Sequence, residues 1–158
     1  MTFEEKKNLL VKMGLSEETA EYYLEGESDI WAVMPVFRLL KPLSDQLEFY
    51  KNGYRKMIEK NIENGTLEKR IPEAAELVKC GVPLESIEKF AYSLVLEAYE
   101  SVLYQLDDHV GAEVSDVFMN EDFSECGYAG LMEMDADGNP TGRYLAEVHG
   151  KIPFSDLN

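Results

Sequence analysis

Residues 84 to 106 form the longest helical pattern in the sequence, and this pattern limits the folds open to the chain. Apolar residues recur there every three or four positions: Leu84, Ile87, Phe90, Ala91, Leu94, Val95, Ala98, Val102 and Leu106. The stripe is wide enough to pack against more than one neighbour. Pro83 precedes it and suits a first helical turn, where its missing N–H has no helical partner. We therefore predict that this helix is the central element of the core.

Start and stop signals mark three further helices. The starts are Thr2 with Glu5 as a capping box, Ser16 as an N-cap, and Pro72 in a first turn. Gly14, Gly26 and Gly81 follow as end signals, since glycine readily adopts the left-handed conformation of a helix cap. Helices are thus expected over about 3–13, from Ser16 to Gly26, and from Pro72 to Gly81.

The stretch between Ser28 and Gly65 contains two patterns. "SDIWAVMPVFRLLKP" is apolar on all sides, which predicts a short buried helix, or two half-helices that meet at Pro35, with Ser28 as the N-cap. From Leu43 the apolar residues follow a period of about 3.6 residues. This second pattern predicts one amphipathic helix that continues to Gly65.

Residues 131 to 150 resemble a calcium loop at first sight, because Asp135, Asp137 and Asn139 stand at alternate positions. The position that requires glycine holds Pro140, however, and the position of the bidentate glutamate holds Ala146. Turn-forming residues lie between two alternating segments, which is typical of a β-hairpin. We predict a hairpin and no metal site here.

The alternation also predicts how the two strands pair. Met132 should face Tyr144, Glu133 should face Arg143 and Gly130 should face Ala146, across a turn centred on Gly138. One face then carries only apolar residues: Met132, Met134, Tyr144, Ala146 and Val148. An isolated hairpin is only marginally stable in water. We therefore expect this face to pack on the helices, or the hairpin to gain a third strand from residues 112–128 or 151–157.

Together these patterns predict an α+β fold that is mainly α. Five to six helices surround one long central helix at about 84–106, and a C-terminal β-hairpin follows at about 129–135 and 141–148. We find no internal repeat or linker, so residues 1–158 are expected to form a single domain, helical over 1–107 and mixed or β over 112–158.

Negative charge is distributed unevenly along the chain. The net charge is −16, and residues 90 to 142 contain 12 acidic residues with no lysine or arginine. Binding to nucleic acid phosphates or to an anionic membrane requires clustered basic residues. We therefore expect neither nucleic acid nor a membrane as a partner. An acidic surface instead favours association with a basic protein.

The first residues, the length of the apolar runs and the cysteines together predict where in the cell the protein is located. The first residues lack the basic and apolar regions of a secretory signal, and no apolar run is long enough to span a membrane. Cys80 and Cys126 are far apart and belong to no C-x-x-C motif, which fits reduced thiols. We expect a cytoplasmic protein.

The first functional hypothesis is a non-enzymatic module that binds a basic protein. In charge alone it is similar to immunity and antitoxin proteins, which cover the active site of a toxin. The candidate partner-binding residues are acidic: Asp107, Asp108, Glu113, Asp116, Glu121, Asp122, Glu125, Asp135 and Asp137. Assembly into a homo-oligomer through exposed aromatic residues is a further expectation.

The alternative hypothesis is a metal-assisted hydrolase. His109 follows Asp107 and Asp108 at the end of the long helix, and Glu97 or Glu113 would complete the cluster. Consecutive residues point to different sides of a helix, however, so the three cannot share one ion without a distant ligand. No nucleophile elbow, phosphate-binding loop or dinucleotide-binding motif is present, so we assign no catalytic residue and no cofactor.

Overall fold

The fold is described by a computed structural model over residues 1–107, 131–145 and 148–158. In this part of the chain the helices are α1 (Phe3–Met13), α2 (Glu17–Glu25), α3 (Val33–Asn52), α4 (Tyr54–Glu63), α5 (Leu67–Arg70), α6 (Pro72–Lys79) and α7 (Leu84–Asp107). Strands β1 (Met132–Met134) and β2 (Pro140–Tyr144) form an antiparallel hairpin, and a short 3-10 helix covers Phe154–Asp156. The predicted α+β fold, mainly α with a hairpin near the C-terminus, is confirmed.

The local signals at the first two helices act as predicted. The Thr2 hydroxyl accepts the Glu5 backbone N–H at 3.3 Å, and the Glu5 carboxylate accepts the Thr2 backbone N–H at 2.7 Å. Gly14 ends α1 in the left-handed conformation with φ 117°, and Ser16 caps α2 by accepting the Thr19 N–H at 3.1 Å. These caps satisfy backbone groups that a helix end leaves unpaired.

The prediction for residues 28 to 65 was wrong at three points. Ser28 is not the N-cap of the helix, because α3 begins at Val33 and its N-cap residue is Ala32. Pro35 does not disrupt a helix, because it lies in the first turn of α3, where its missing N–H would have had no helical partner. The single helix expected from Leu43 to Gly65 is divided at Gly53, which separates α3 from α4. With the one-turn helix α5, this division brings the described helices to seven.

The core has two parts, and α7 contributes to both. The larger cluster joins α1, α2 and α3 to Leu103 of α7 and to Leu145, Val148, Ile152 and Phe154. The smaller cluster joins α4, α5 and α6 to Ile87 of α7. The helix is therefore central as predicted, but Phe90, Leu94 and Val102 of its apolar stripe remain exposed.

Residues 148 to 158, which include the 3-10 helix, pack along the helices as a mostly irregular segment. Val148, Ile152 and Phe154 are buried, and the Phe154 ring meets the Phe37 ring edge to face at 5.4 Å. The buried Ser44 hydroxyl of α3 accepts the Phe154 backbone N–H at 2.8 Å. This segment closes one side of the larger cluster, and its residues form no ladder with the hairpin strands.

The hairpin register confirms part of the prediction. Met132 pairs with Tyr144 as expected, and the Glu133 and Arg143 side chains interact across the strands. An irregularity follows, because Met134 pairs with Pro140 and leaves extra residues on β2. The predicted pair of Gly130 and Ala146 lies outside the described residues. The second strand is shorter than predicted, because β2 ends at Tyr144 and neither Leu145 nor Val148 belongs to a strand.

Candidate partner-binding surface

Most of the predicted acidic binding residues cannot be placed. Asp108, Glu113, Asp116, Glu121, Asp122 and Glu125 lie outside the described residues, as does His109 of the alternative metal cluster. Asp107 is the last residue of α7, and only its backbone is described. Asp135 and Asp137 are placed in the hairpin turn, so the structure gives no common face for the nine residues.

The two placed carboxylates have different roles. The Asp135 carboxylate accepts the backbone N–H groups of Asn139 at 2.8 Å and Asp137 at 2.9 Å, and so holds the turn together. These hydrogen bonds, that from Asn139 first, lower the pKa of Asp135. Asp137 is exposed and makes no ion pair with the described residues. Asp135 is thus a turn-forming residue, whereas Asp137 presents its charge outward.

A third strand-like segment does join the hairpin, but it comes from the N-terminal half of the chain. Trp31 forms a parallel bridge with Tyr144: the Tyr144 N–H donates to the Ile30 carbonyl at 2.7 Å, and the Ala32 N–H donates to the Tyr144 carbonyl at 3.1 Å. The Ser28 hydroxyl accepts the N–H groups of Ile30 and Trp31. The expectation of a third strand from 151–157 was wrong, and 112–128 lies outside the described residues.

One face of the hairpin carries a network of charges that points toward α1 and α2. The Arg143 guanidinium donates to both Glu133 oxygens, at 2.7 and 2.6 Å, and lies 3.3 Å from Glu27, which also pairs with Lys6. Only 14% of the Glu133 side chain and 13% of the Glu27 side chain are exposed. Burial raises the pKa of Glu133, but the bonds from Arg143 and Thr141 outweigh it and leave that pKa lowered.

The other face of the hairpin is apolar, and it points outward. Trp31 and Tyr144 are bridged residues, so their side chains project from the same side of the sheet. Trp31 is 39% exposed and Tyr144 is 38% exposed, while Met134 of the same hairpin is more than half exposed. The prediction that Met134 and Tyr144 pack on the helices was therefore wrong, because the charged face occupies that position.

The bridge also connects a stretch without basic residues to the hairpin, whose first strand and turn belong to a second such stretch. Residues 13 to 37 hold six acidic residues and no lysine or arginine, and residues 90 to 142 hold 12 acidic residues and none of either. Trp31 lies in the first stretch, and β1 and the turn lie in the second. Arg143, the cation nearest in sequence to Tyr144, is engaged by Glu27 and Glu133 on the inward face. The outward face thus carries the Trp31 and Tyr144 rings, and the Arg143 cation lies on the opposite face.

Sequence reasoning missed Trp31 and Tyr144 as candidate site residues. A signal for Trp31 was present, because it is the only tryptophan of the chain and lies in a stretch without basic residues. Tryptophan and tyrosine are the residue types enriched at the energetically important centres of protein interfaces. No pattern in the sequence indicated that Trp31 would pair with Tyr144, because that contact depends on tertiary folding.

A separate cleft lies between the C-terminal part of α7 and the turn at His149. It has a volume of about 440 Å³ and is lined by Glu100, Ser101, Tyr104, Gln105, His149 and Gly150. The Tyr104 and His149 rings meet edge to face at 5.4 Å. Over residues 1–107, 131–145 and 148–158 no group of three or more His, Cys, Asp or Glu could hold a metal ion. The hydrolase cluster itself includes Asp108 and His109, so that hypothesis stays a prediction.

Comparisons with known proteins returned no matching family model, no similar curated protein and no similar solved structure. Among the described helices, none combines the length and the apolar character that crossing a membrane requires.

Proposed function

We propose that this chain is a non-enzymatic protein-binding module whose partner is a basic protein, in the manner of an immunity or antitoxin protein. The observation that supports it is the Trp31–Tyr144 bridge, which joins the base-free stretch 13–37 to a hairpin whose first strand and turn belong to the base-free stretch 90–142. Each stretch is acidic by itself, and Asp29 and Asp137 are exposed acidic residues in the described parts of the two stretches. Exposed carboxylates attract a positively charged surface and repel an acidic one.

The arrangement of Arg143 strengthens this charge asymmetry. Its guanidinium would reduce the negative potential if it pointed outward, but Glu133 and Glu27 hold it on the inward side. Glu25 and Asp29, which flank the loop before Trp31, are exposed and make no ion pair among the described residues. Their field extends over roughly one Debye length, about 8 Å at physiological ionic strength.

The proposal includes a cytoplasmic location. Cys80 is exposed and is not in a disulfide. An exposed thiol persists as a thiol in a reducing compartment and tends to be oxidised elsewhere.

The test begins with affinity capture from a lysate of the source cells, followed by identification of the bound protein and measurement of its binding kinetics. The variant Glu25→Gln with Asp29→Asn removes two charges near the loop. Its matched control, Glu63→Gln with Glu73→Gln, removes two exposed charges from α4 and α6, which belong to the smaller cluster. Association rates are then compared across ionic strengths.

We expect a captured protein of high isoelectric point whose association rate falls as salt increases. The Glu25 and Asp29 variant should associate several-fold more slowly than the control variant at low ionic strength, because electrostatic steering acts mainly on the association rate. A captured partner that is acidic, binding that does not depend on salt, or equal rates for the two variants would contradict the proposal.

A further inference from the structure

We propose that Trp31 and Tyr144 form the docking point for an arginine side chain of the basic partner. This inference rests on the proposed function and specifies where and through which residue type the partner binds. Both rings project from the outward side of the sheet, and the exposed Met134 of the same hairpin adds apolar surface. An arginine can place its planar guanidinium on an aromatic face and its methylene stem on apolar neighbours.

The two rings are presented by a rigid backbone. Trp31 is fixed by the bridge to β2 on one side and by the Ser28 hydroxyl, which accepts its N–H at 3.1 Å, on the other. Tyr144 is held from both directions by its N–H and its carbonyl. Because this backbone is already ordered, the chain loses less conformational entropy on binding a partner than it would with a loose loop.

The charge around the rings favours a cationic occupant over an apolar one. Asp29 lies two positions before Trp31, and the stretch around it contains no lysine or arginine. A cation over an aromatic ring is attracted by the electron density of the ring face, and nearby carboxylates add to this attraction. Arginine is favoured over lysine because it is less strongly hydrated and stacks as a plane.

The chain does not supply this cation itself within the part that the structure describes. Its two cation–π contacts there involve other rings: Lys51 lies 5.8 Å from the centre of Tyr92, and Lys151 lies 4.9 Å from the centre of Tyr23. Arg143 follows Gly142 on β2 and points to the inward face, away from Tyr144. An arginine at these two rings would therefore come from another molecule.

Two peptides of equal charge, octa-arginine and octa-lysine, stand in for the partner and test the inference. Binding of each labelled peptide to the full chain is followed by fluorescence anisotropy at physiological ionic strength. Trp31 is the only tryptophan, so its intrinsic fluorescence reports directly on contact with the peptide. The variants are Trp31→Leu and Tyr144→Leu, and Phe90→Leu on α7 is the matched control for loss of an exposed ring. Circular dichroism verifies that each variant is folded.

We expect octa-arginine to bind more tightly than octa-lysine and to change the Trp31 fluorescence. Trp31→Leu and Tyr144→Leu should each weaken octa-arginine binding about five-fold, which corresponds to one cation–π contact, while Phe90→Leu leaves it unchanged. If both peptides bind with equal affinity and neither variant affects them, the docking point is wrong and the proposed function stands. If neither peptide binds, the proposed function itself fails.

Discussion

Replacement of Arg143 by methionine is the most direct test of why the hairpin turns its apolar face outward. The substitution keeps most of the side-chain volume but removes both bonds to Glu133 and the contact with Glu27. Each carboxylate keeps one partner, because Thr141 donates to Glu133 at 2.8 Å and Lys6 pairs with Glu27. Two largely buried charges would then lack their common counterion.

The expected decrease in the free energy of unfolding lies between the values for a fully buried and for an exposed ion pair. Removal of one member of a fully buried pair costs about 3–5 kcal/mol, and an exposed pair contributes about 0–1 kcal/mol. About a quarter of the Arg143 side chain is exposed, at 27%, so the site lies between these limits. We expect a decrease of about 2 kcal/mol in the free energy of unfolding, or about 4–8 °C in Tm for a chain of this size.

The dependence on pH gives this prediction a second readout. In the native protein the pKa of Glu133 is below its usual value of 4.5, so the group adds stability above pH 4.5 that is lost as the pH falls through the lowered pKa. Without Arg143, burial dominates and raises that pKa, so the carboxylate destabilises the variant at neutral pH and ceases to do so once protonated. The difference between the two proteins should therefore begin to shrink above pH 4.5, as the pH falls through the raised pKa of the variant, and be smallest below the lowered pKa of the native protein.

Urea unfolding followed by circular dichroism measures both effects. The matched control is Lys89→Met, which breaks a pair between two exposed residues of α7 and should leave the midpoint nearly unchanged. Adding Glu133→Gln to Arg143→Met should recover part of the lost stability, because the unpaired charge is then absent. A midpoint for Arg143→Met equal to that of the control would refute the inward orientation of this charged face.

Two further predictions concern other parts of the structure. Ser44→Ala leaves the buried N–H of Phe154 without its acceptor, so the free energy of unfolding should fall by about 1–3 kcal/mol. The same urea experiment measures this change. An unchanged midpoint would show that the C-terminal segment does not depend on this hydrogen bond. Phe90, Leu94 and Val102 stay exposed along α7, so we expect concentration-dependent self-association in light scattering. Leu94→Glu should abolish that association, and a mass that never changes with concentration would contradict it.

The parts of the fold that could be predicted are those that local chemistry decides. The capping box of Thr2, the serine cap of α2 and the proline start of α6 each depend on residues within one helical turn. The pairing of Met132 with Tyr144 follows from the turn residues and strand alternation between them. Such signals act between residues that are close in sequence, so they do not depend on the packing of distant residues.

The parts that could not be predicted depend on neighbours that are distant in sequence. Apolar spacing continued unbroken across Gly53, so periodicity alone indicated one helix where the structure has two. The alternation of the hairpin defined two faces, but it could not tell which one meets α1 and α2. That choice is decided by Glu27, which lies 116 positions from Arg143 along the chain. The candidate site was missed for the same reason.

The bridge between Trp31 and Tyr144 makes ligand binding and global folding parts of one equilibrium. The two residues come from opposite ends of the sequence, so the outward face is absent from an unfolded or partly folded chain. A ligand of this face adds RT ln(1 + [L]/Kd) to the free energy of unfolding, about 2.7 kcal/mol at a hundred times its Kd. The backbone amides of Ala32 and Tyr144 should then exchange with deuterium more slowly as the ligand concentration rises.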